Sequence, residues 1–220
     1  MPILIAGAII IAALIGAALA LHRTARRSGV SDADLARALP GDELVPDATL
    51  VMDRAAVFNA PPEAVWPWIA QLGKGRAGWY CPRWLERFTG GTQLSGIRHI
   101  EPGYQHLEVG DETPDYGPGE PVFCVTQVEA PRMLVYLTLR DPAARWTWPQ
   151  SDPPPDGTLA LSWALLLEPA RGGRCRVTAR VRATRQGKPM AWWFYWLGGL
   201  VDWLTIALMF AGLRERLAES

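Results

Sequence analysis

Two neighbouring segments near the end of the chain carry an apolar residue at every second position. In a β-strand successive side chains point to opposite faces of the sheet, so a period of two predicts antiparallel strands with one buried face. A Gly172-Gly173 turn separates the two segments, as in a hairpin. Their apolar positions are Leu159, Leu161, Trp163, Leu165 and Leu167 in the first, and Cys175, Val177, Ala179, Val181 and Ala183 in the second.

Other segments extend this sheet. Val122–Val128 and Arg132–Arg140 are predicted strands joined by a short turn, and Leu50–Phe58 is a predicted strand near the start of the domain. Shorter strands are predicted near Arg98–Ile100 and Gln105–Val109, within a region rich in Gly, Pro and charge. The sheet therefore accounts for most of the chain after residue 50.

Short helices follow the first strand. Pro61 and Pro62 begin the first one, because proline is tolerated in the first turn of a helix. The negative charge of Glu63 is favourable there, near the positive end of the helix dipole. Residues 84–88 form a second short helix, beyond an aromatic loop that contains Trp79 and Tyr80.

An arginine row faces the polar side of the last predicted strand. We expect it to be the solvated outer face of the sheet, with attraction to anionic lipid as the alternative. The row consists of Arg174, Arg176, Arg180 and Arg182.

One long apolar helix is predicted from Met190 to Leu217, with Asp202 as its only charge before Arg214. Its length and its aromatic group at 192–196 are typical of a second membrane span. A charge in the middle of a span costs about 2.5–3.5 kcal/mol, and the apolar face of the sheet needs a cover. We favour burial against the sheet and keep the second span as an alternative.

The N-terminus carries a different signal. Pro2–Leu21 contains no charged side chain, and twenty helical residues span about 30 Å, the thickness of a hydrocarbon core. A cleaved signal peptide is the alternative, but the basic residues follow the apolar run instead of preceding it. We predict a transmembrane anchor at 1–21, a linker at 22–48 with a short helix that Ser31 caps, and a domain at 49–220.

Charge and cysteine content exclude several classes. The chain has 22 basic and 22 acidic residues, so no net field attracts nucleic acid. Three cysteines without a C-x-x-C pair indicate neither a disulfide framework nor a zinc knuckle. With Arg23, Arg26 and Arg27 after the anchor, the positive-inside bias predicts a single-pass protein of the inner membrane with its domain in the cytoplasm.

Several motifs in sequence order resemble the START-like, or SRPBCC, superfamily, and within it bacterial proteins of the polyketide cyclase/dehydrase and lipid-transport-like type. The resemblance covers roughly residues 41–218, and Ala60-Pro61-Pro62-Glu63-Ala64-Val65-Trp66 is its most specific part. The other matching segments are Gly41–Pro46, Gly75–Tyr80, Trp84–Glu86, Gln105–Asp111 and Pro131–Leu134.

The resemblance implies an α+β helix-grip fold, in which a curved antiparallel sheet wraps a long C-terminal helix around an apolar ligand cavity. It also implies a ligand such as a lipid, sterol, polyketide or hormone, with catalysis in a minority of members. A fold with so many functions does not transmit a mechanism.

Chemical motifs are absent or incomplete. The letters G-x-G-x-x-G at 73–78 follow a helix and precede no helix, which is the wrong context for a dinucleotide site. The histidines lack the spacing of metal ligands, so we expect no metal and no cofactor. Proton carriers would be needed for cyclisation, and the candidates, if they converge, are Tyr80, His99, Tyr104, Asp111 and Asp202.

No catalytic residue is therefore assigned. Large rings on a loop between short helices suit the mouth of a cavity, which makes Trp79, Tyr80 and Trp84 the first candidates for ligand contact. The full set of predicted ligand-binding residues is Trp79, Tyr80, Trp84, Tyr104, Trp163, Trp203 and Asp202.

Three functions agree with these features. The first is a membrane-anchored domain that binds a hydrophobic small molecule or lipid in an internal cavity. The second is a cyclase or dehydrase acting on a polyketide-like or other apolar substrate. The third is a two-span membrane protein with a cytoplasmic interaction domain.

Overall fold

The computed structural model describes residues 2–89, 96–116, 119–145, 147–149 and 151–220, without the side chains of residues 2–12, 15, 89 and 193–195. Its strands are β1 (Arg27–Ser28), β2 (Leu50–Phe58), β3 (Glu112–Pro114), β4 (Val122–Glu129), β5 (Met133–Arg140), β6 (Leu159–Ala170) and β7 (Arg174–Arg185). Its α-helices are α1 (Pro2–Arg26), α2 (Asp32–Ala36), α3 (Pro62–Gln71), α4 (Arg83–Thr89) and α5 (Trp192–Glu219).

Within these residues the strands form one sheet in the order β1-β2-β7-β6-β5-β4-β3. Every pair is antiparallel except β1 with β2. In the longest pair, β6 and β7, Trp163 lies opposite Val181 and Leu165 opposite Ala179, so their apolar side chains share a face. The predicted alternation of these two strands is confirmed.

The two short strands predicted before residue 110 are wrong. Residues 98–100 and 105–109 lie in loops, and a 3-10 helix, Pro102–Tyr104, separates them. Proline has no backbone N–H to donate to a sheet, which favours this local turn over strand pairing. The edge strand that the sheet does contain in this region is β3, which pairs with β4.

Helix α5 lies in the concave face of the curved sheet, and this arrangement is the predicted helix-grip fold. Its C-terminal half supplies Ile206, Met209, Phe210 and Leu213 to the buried core. The interface is close at Gly212, where an added Cβ would lie 2.7 Å from the backbone of Cys81. Within the part of the chain that the structure describes, Trp196–Glu219 is the helical stretch whose length and apolar composition would allow it to cross a membrane.

The outer face of the sheet is covered by residues 28–47, so the predicted solvation of the arginine row is wrong for most of its members. Arg180 contacts the carboxylates of Asp53 at 2.5 Å and Asp42 at 2.9 Å and is almost fully buried. Arg176 pairs with Asp34 at 3.0 Å, and Arg182 donates to the backbone of this covering segment. Buried guanidinium groups require such partners, and the covering segment brings them.

The predicted cap of the short helix in this segment is confirmed. The Ser31 hydroxyl accepts a hydrogen bond from the Asp34 N–H, and the Asp34 carboxylate accepts one from the Ser31 N–H, which completes a capping box. The same carboxylate then pairs with Arg176, so the cap also fastens α2 to the sheet.

Helix α1 contacts the domain only through its C-terminal end, among the residues that the structure describes. The His22 ring lies 3.9 Å from the Trp196 ring of α5, and Ala25 is buried. Farther from the domain, the described side chains between residues 13 and 21 are all exposed. The α1 helix thus projects an apolar surface away from the sheet.

Candidate ligand-binding cavity

A cavity of about 380 Å³ lies between the sheet and the N-terminal half of α5. Its walls come from β2, β4, β5, β6, β7, α5 and two loops. The lining residues are Leu50, Met52, Trp79, Asp115, Tyr116, Phe123, Arg140, Leu161, Trp163, Val181, Ala183, Gly198, Val201, Asp202, Thr205 and Ile206.

Small side chains on both walls account for the cavity. The C-terminal half of α5 carries large side chains into the core, whereas Gly198 and Thr205 are the small residues that face the sheet farther back. On the sheet, Ala183 and Val181 are also small. Small side chains on both walls leave the space unfilled.

Aromatic rings form one end of the cavity. Trp163 on β6 stacks on Tyr136 with ring centroids 5.8 Å apart, and Trp79 lies 5.9 Å from the same indole. The Trp79 Nε1–H donates to the Thr205 carbonyl oxygen over 3.1 Å, which ties the aromatic loop to α5. This bond fixes the orientation of a ring that borders the cavity.

Trp163 leaves one polar atom without a partner. Its indole is largely buried, and its Nε1–H has no acceptor among the residues that the structure describes. A buried hydrogen-bond donor without an acceptor destabilises the folded state by about 1–3 kcal/mol, so such donors are uncommon. An oxygen atom on a bound molecule would satisfy it.

A second polar group borders the cavity at the side of the loops. Arg140 pairs with the carboxylate of Asp115, and its guanidinium lies 5.4 Å from the centroid of the Phe123 ring. The pair is only partly exposed, at 16% for the Arg140 side chain. The remaining guanidinium N–H groups can donate to an oxygen in the cavity.

The third polar group is Asp202, on α5. Its carboxylate lies 2.7 Å from the Arg54 guanidinium, which is 2% exposed. Burial raises the pKa of Asp202 from its ordinary value, and the charge of Arg54 opposes this rise. The Asp202 carboxylate thus borders the cavity, and the buried Arg54 guanidinium compensates its negative charge.

Three of the predicted ligand-binding residues line this cavity, namely Trp79, Trp163 and Asp202. Trp203 does not. It borders a separate cleft of about 180 Å³ between α5 and β2.

The other three predicted residues also lie elsewhere. Tyr80 is fully buried in the core and donates to the Trp68 carbonyl oxygen over 2.7 Å. Trp84 is exposed on α4. The Tyr104 ring lies under the guanidinium of Arg76, 5.1 Å away. Sequence position alone did not separate rings that border the cavity from rings that pack in the core.

The candidate proton carriers do not converge within the described part of the chain. His99 and Asp111 are exposed, and Tyr104 and Tyr80 are engaged as above, so Asp202 alone of these five borders the cavity. Burial raises the pKa of the Tyr80 hydroxyl far above its ordinary value, which disfavours proton transfer by this group near neutral pH. Among the described residues no group of His, Cys, Asp and Glu side chains could hold a metal ion.

Sequence reasoning missed four residues of the cavity, two in a loop and two in strands. Asp115, Tyr116, Phe123 and Arg140 approach one another because β4 pairs with β5 and the Asp115 N–H donates to the Pro121 carbonyl oxygen, just before β4. The one local signal was an arginine at the end of an apolar strand, and such a residue is most often solvated.

Comparisons with known proteins give a weak likeness at the level of fold. No protein-family model and no curated protein matches the chain. Solved structures with a similar fold include a protein from Bacillus halodurans, with 17% identity over 77% of this chain and 98% of that one and a TM-score of 0.44. A conserved protein from Geobacillus kaustophilus has 16% identity over 78% and 97% and a TM-score of 0.42. Ara h 8.0201 has 10% identity over 77% and 98% and a TM-score of 0.41.

Proposed function

We propose that this protein is a membrane-anchored domain that binds an amphipathic small molecule in the cavity between its sheet and α5. The cavity is the observation that carries the proposal. Its volume of about 380 Å³ falls within the roughly 300–1,000 Å³ of small-molecule sites, and its walls combine apolar side chains with a few polar groups. The sequence resemblance to the START-like superfamily, whose members bind such ligands, agrees with this function.

The polar groups define the class of ligand. Trp163 and Arg140 both supply N–H donors, so the ligand carries an oxygen acceptor such as a carboxylate, carbonyl or hydroxyl. Leu50, Met52 and Leu161 require the rest of the molecule to be apolar. Fatty acids, isoprenoid alcohols and aromatic polyketides all meet both conditions.

Binding is better supported than catalysis. A cyclase or dehydrase needs at least one acid and one base near the reacting carbon atoms. Three acidic groups among the described residues line the cavity. Asp202 is paired with Arg54 and Asp115 with Arg140, and burial raises the pKa of the Tyr116 hydroxyl, so none of the three is a free acid or base. The enzyme hypothesis therefore ranks second.

The membrane part of the proposal rests on α1. The described side chains between residues 13 and 21 are apolar and exposed, and such a helical surface is stable in lipid and unfavourable in water. The positive charges after Leu21 favour a cytoplasmic domain at the inner membrane. A tether of this kind raises the effective concentration of molecules that dissolve in the lipid.

Two measurements test the proposal with the full chain. Native mass spectrometry of the protein released from detergent should reveal a bound molecule of a few hundred daltons, and cis-parinaric acid should bind with one saturable site. A reporter fused after Ser220 should remain on the cytoplasmic side of sealed cells. If no molecule co-purifies and cis-parinaric acid does not saturate, the binding function is wrong; an external reporter would contradict the topology alone.

A further inference from the structure

The C-terminal end of α1 and the N-terminal end of α5 run side by side, and both helices run toward the domain in chain order. His22 of α1 contacts Trp196 of α5, and one turn later Arg26 lies beside Gly199. The two helices therefore advance together at this end, and the residues that precede Trp196 lie level with those that precede His22. The first turn of α5 is thus beside the last apolar turn of α1.

An apolar surface covers this first part of α5. Leu197, Val201 and Leu204 follow one another at the i, i+4, i+7 spacing of a single helix face, and all three are more than half exposed. Trp192 and Trp196 lie nearer the start of the helix, one turn apart on a neighbouring side where Trp196 contacts His22 of α1, and both are exposed. We call these five residues the α5 apolar surface.

The α5 apolar surface adjoins the entrance of the cavity. Val201 is exposed to the outside and also lines the cavity, next to Gly198 and Asp202. From Trp196 to Val201 the helix advances about 8 Å, at 1.5 Å per residue. The cavity therefore opens within about two helical turns of the point where α1 becomes charge-free.

We propose that the α5 apolar surface is seated in the headgroup region of the bilayer that holds α1, so that the cavity opens directly onto the lipid. The position of this surface beside α1 supports lipid as its partner. Trp192 and Trp196 lie level with the end of the predicted span, where tryptophan is enriched in membrane proteins. The exposed Arg23 lies in the last turn of α1, the exposed Arg27 directly follows the helix, and both match the anionic headgroups.

This inference rests on the proposed anchor but adds a second membrane contact and a route of entry. A ligand would pass from the bilayer to the cavity beside Val201 without crossing water. A domain tethered by α1 alone would instead be free to rotate away from the membrane surface.

The test places one environment-sensitive label at a time in the full chain, reconstituted in vesicles of phosphatidylcholine and phosphatidylglycerol. In a Cys124→Ser background, where the remaining cysteines are buried, NBD is attached to Leu197→Cys, Leu14→Cys or Phe88→Cys. The three native side chains are 55%, 65% and 84% exposed, so each substitution is tolerated by the fold. Phe88 on α4 is the matched control, because α4 contacts the opposite end of α5.

The expected result is a blue-shifted NBD emission at position 197, quenched by nitroxide-labelled lipids, with neither effect at position 88. Emission at position 197 that resembles that at position 88 would overturn the inference, and so would a blue shift without lipid quenching, which indicates a protein partner. The label at position 14 separates the two failures. If it is quenched while that at 197 is not, the anchor stands and only the α5 contact is wrong; if neither is quenched, the proposed anchor fails too.

Discussion

The guanidinium of Arg54 lies 2.7 Å from the carboxylate of Asp202, and these two residues join the sheet to the helix that it grips. The same guanidinium donates to the carbonyl oxygens of Ala25 at 2.6 Å and Gly199 at 3.1 Å. One buried cation therefore holds the end of α1, strand β2 and helix α5 together at the back of the cavity.

We expect Asp202→Asn to destabilise the fold, because it leaves the buried guanidinium without a compensating charge. Loss of one partner of a buried pair typically costs about 3–5 kcal/mol. Urea unfolding of the detergent-solubilised protein, followed by circular dichroism, measures the change. Arg37→Gln removes the partly exposed pair with Glu168 and should cost less than about 1 kcal/mol; equal effects of the two variants would show that Arg54 is compensated by other groups.

Trp79→Ala should weaken binding of cis-parinaric acid about tenfold or more, because an aromatic side chain buried against a ligand contributes about 1.5–3 kcal/mol. Fluorescence titration of the reconstituted protein measures the affinity. Trp84→Ala is the matched control, since Trp84 is exposed and does not border the cavity. A similar loss in both variants would place the probe somewhere other than this cavity.

Leu161→Trp should reduce probe binding and leave the free energy of unfolding within about 1 kcal/mol, because the larger ring enters existing space. Leu165→Trp is the comparison, four residues along the same face of β6 but fully buried in the packed core. There the overpacking should cost about 1–3 kcal/mol. Denaturation and probe-binding curves of both variants measure these effects. Equal destabilisation by Leu161→Trp and Leu165→Trp would mean that the cavity is closed in solution.

Gly212→Ala should destabilise the protein by about 1–3 kcal/mol, because the new methyl group would lie 2.7 Å from backbone atoms that cannot move aside easily. Gly199→Ala, in the same helix, meets its nearest side-chain atom at 3.5 Å and gains helix propensity. It should therefore be neutral or stabilising. Thermal unfolding of both variants measures the difference, and a neutral Gly212→Ala would contradict the close contact between α5 and the 80–81 backbone.

In acid, the ion pairs that Glu219, at the end of α5, forms with Arg98 and Arg83 should weaken. Hydrogen bonds from Arg98 and Arg83 lower the pKa of Glu219 from 4.5 to about 2. A lowered pKa stabilises the folded state above the unfolded value near 4.5, and this contribution is lost as the pH falls from about 4.5 through about 2. Carboxyl-carbon NMR titration measures the pKa, which Arg98→Gln should raise toward 4.5; a value near 4.5 in the unaltered protein would show that the pairs do not form in solution.

Much of the architecture follows from local patterns. The alternation in β6 and β7, the proline opening of α3 and the capping box of α2 each depend on neighbours within a few residues, so they could be predicted correctly. The strands predicted before residue 110 failed because short polar segments carry little periodicity, and proline chemistry decided their local conformation.

The candidate site was only partly predictable. Trp79, Trp163 and Asp202 border the cavity as expected, whereas Trp84 and Trp203 face other directions. A tryptophan has the same sequence signature whether it packs in a core, covers a cleft or faces solvent. Its surroundings come from elements far away in the chain.

By itself, therefore, the sequence determined the sheet, the long apolar helix and the charge-free N-terminus, because hydrophobic periodicity and turn chemistry act over short distances. The tertiary structure alone decided which charges are paired and where space remains. Asp202 meets Arg54 across 148 positions, and Arg176 and Arg180 on the outer face meet carboxylates from the segment before the domain. Electrostatic pairing and packing depend on distance in space, and distance in space follows only from the complete fold.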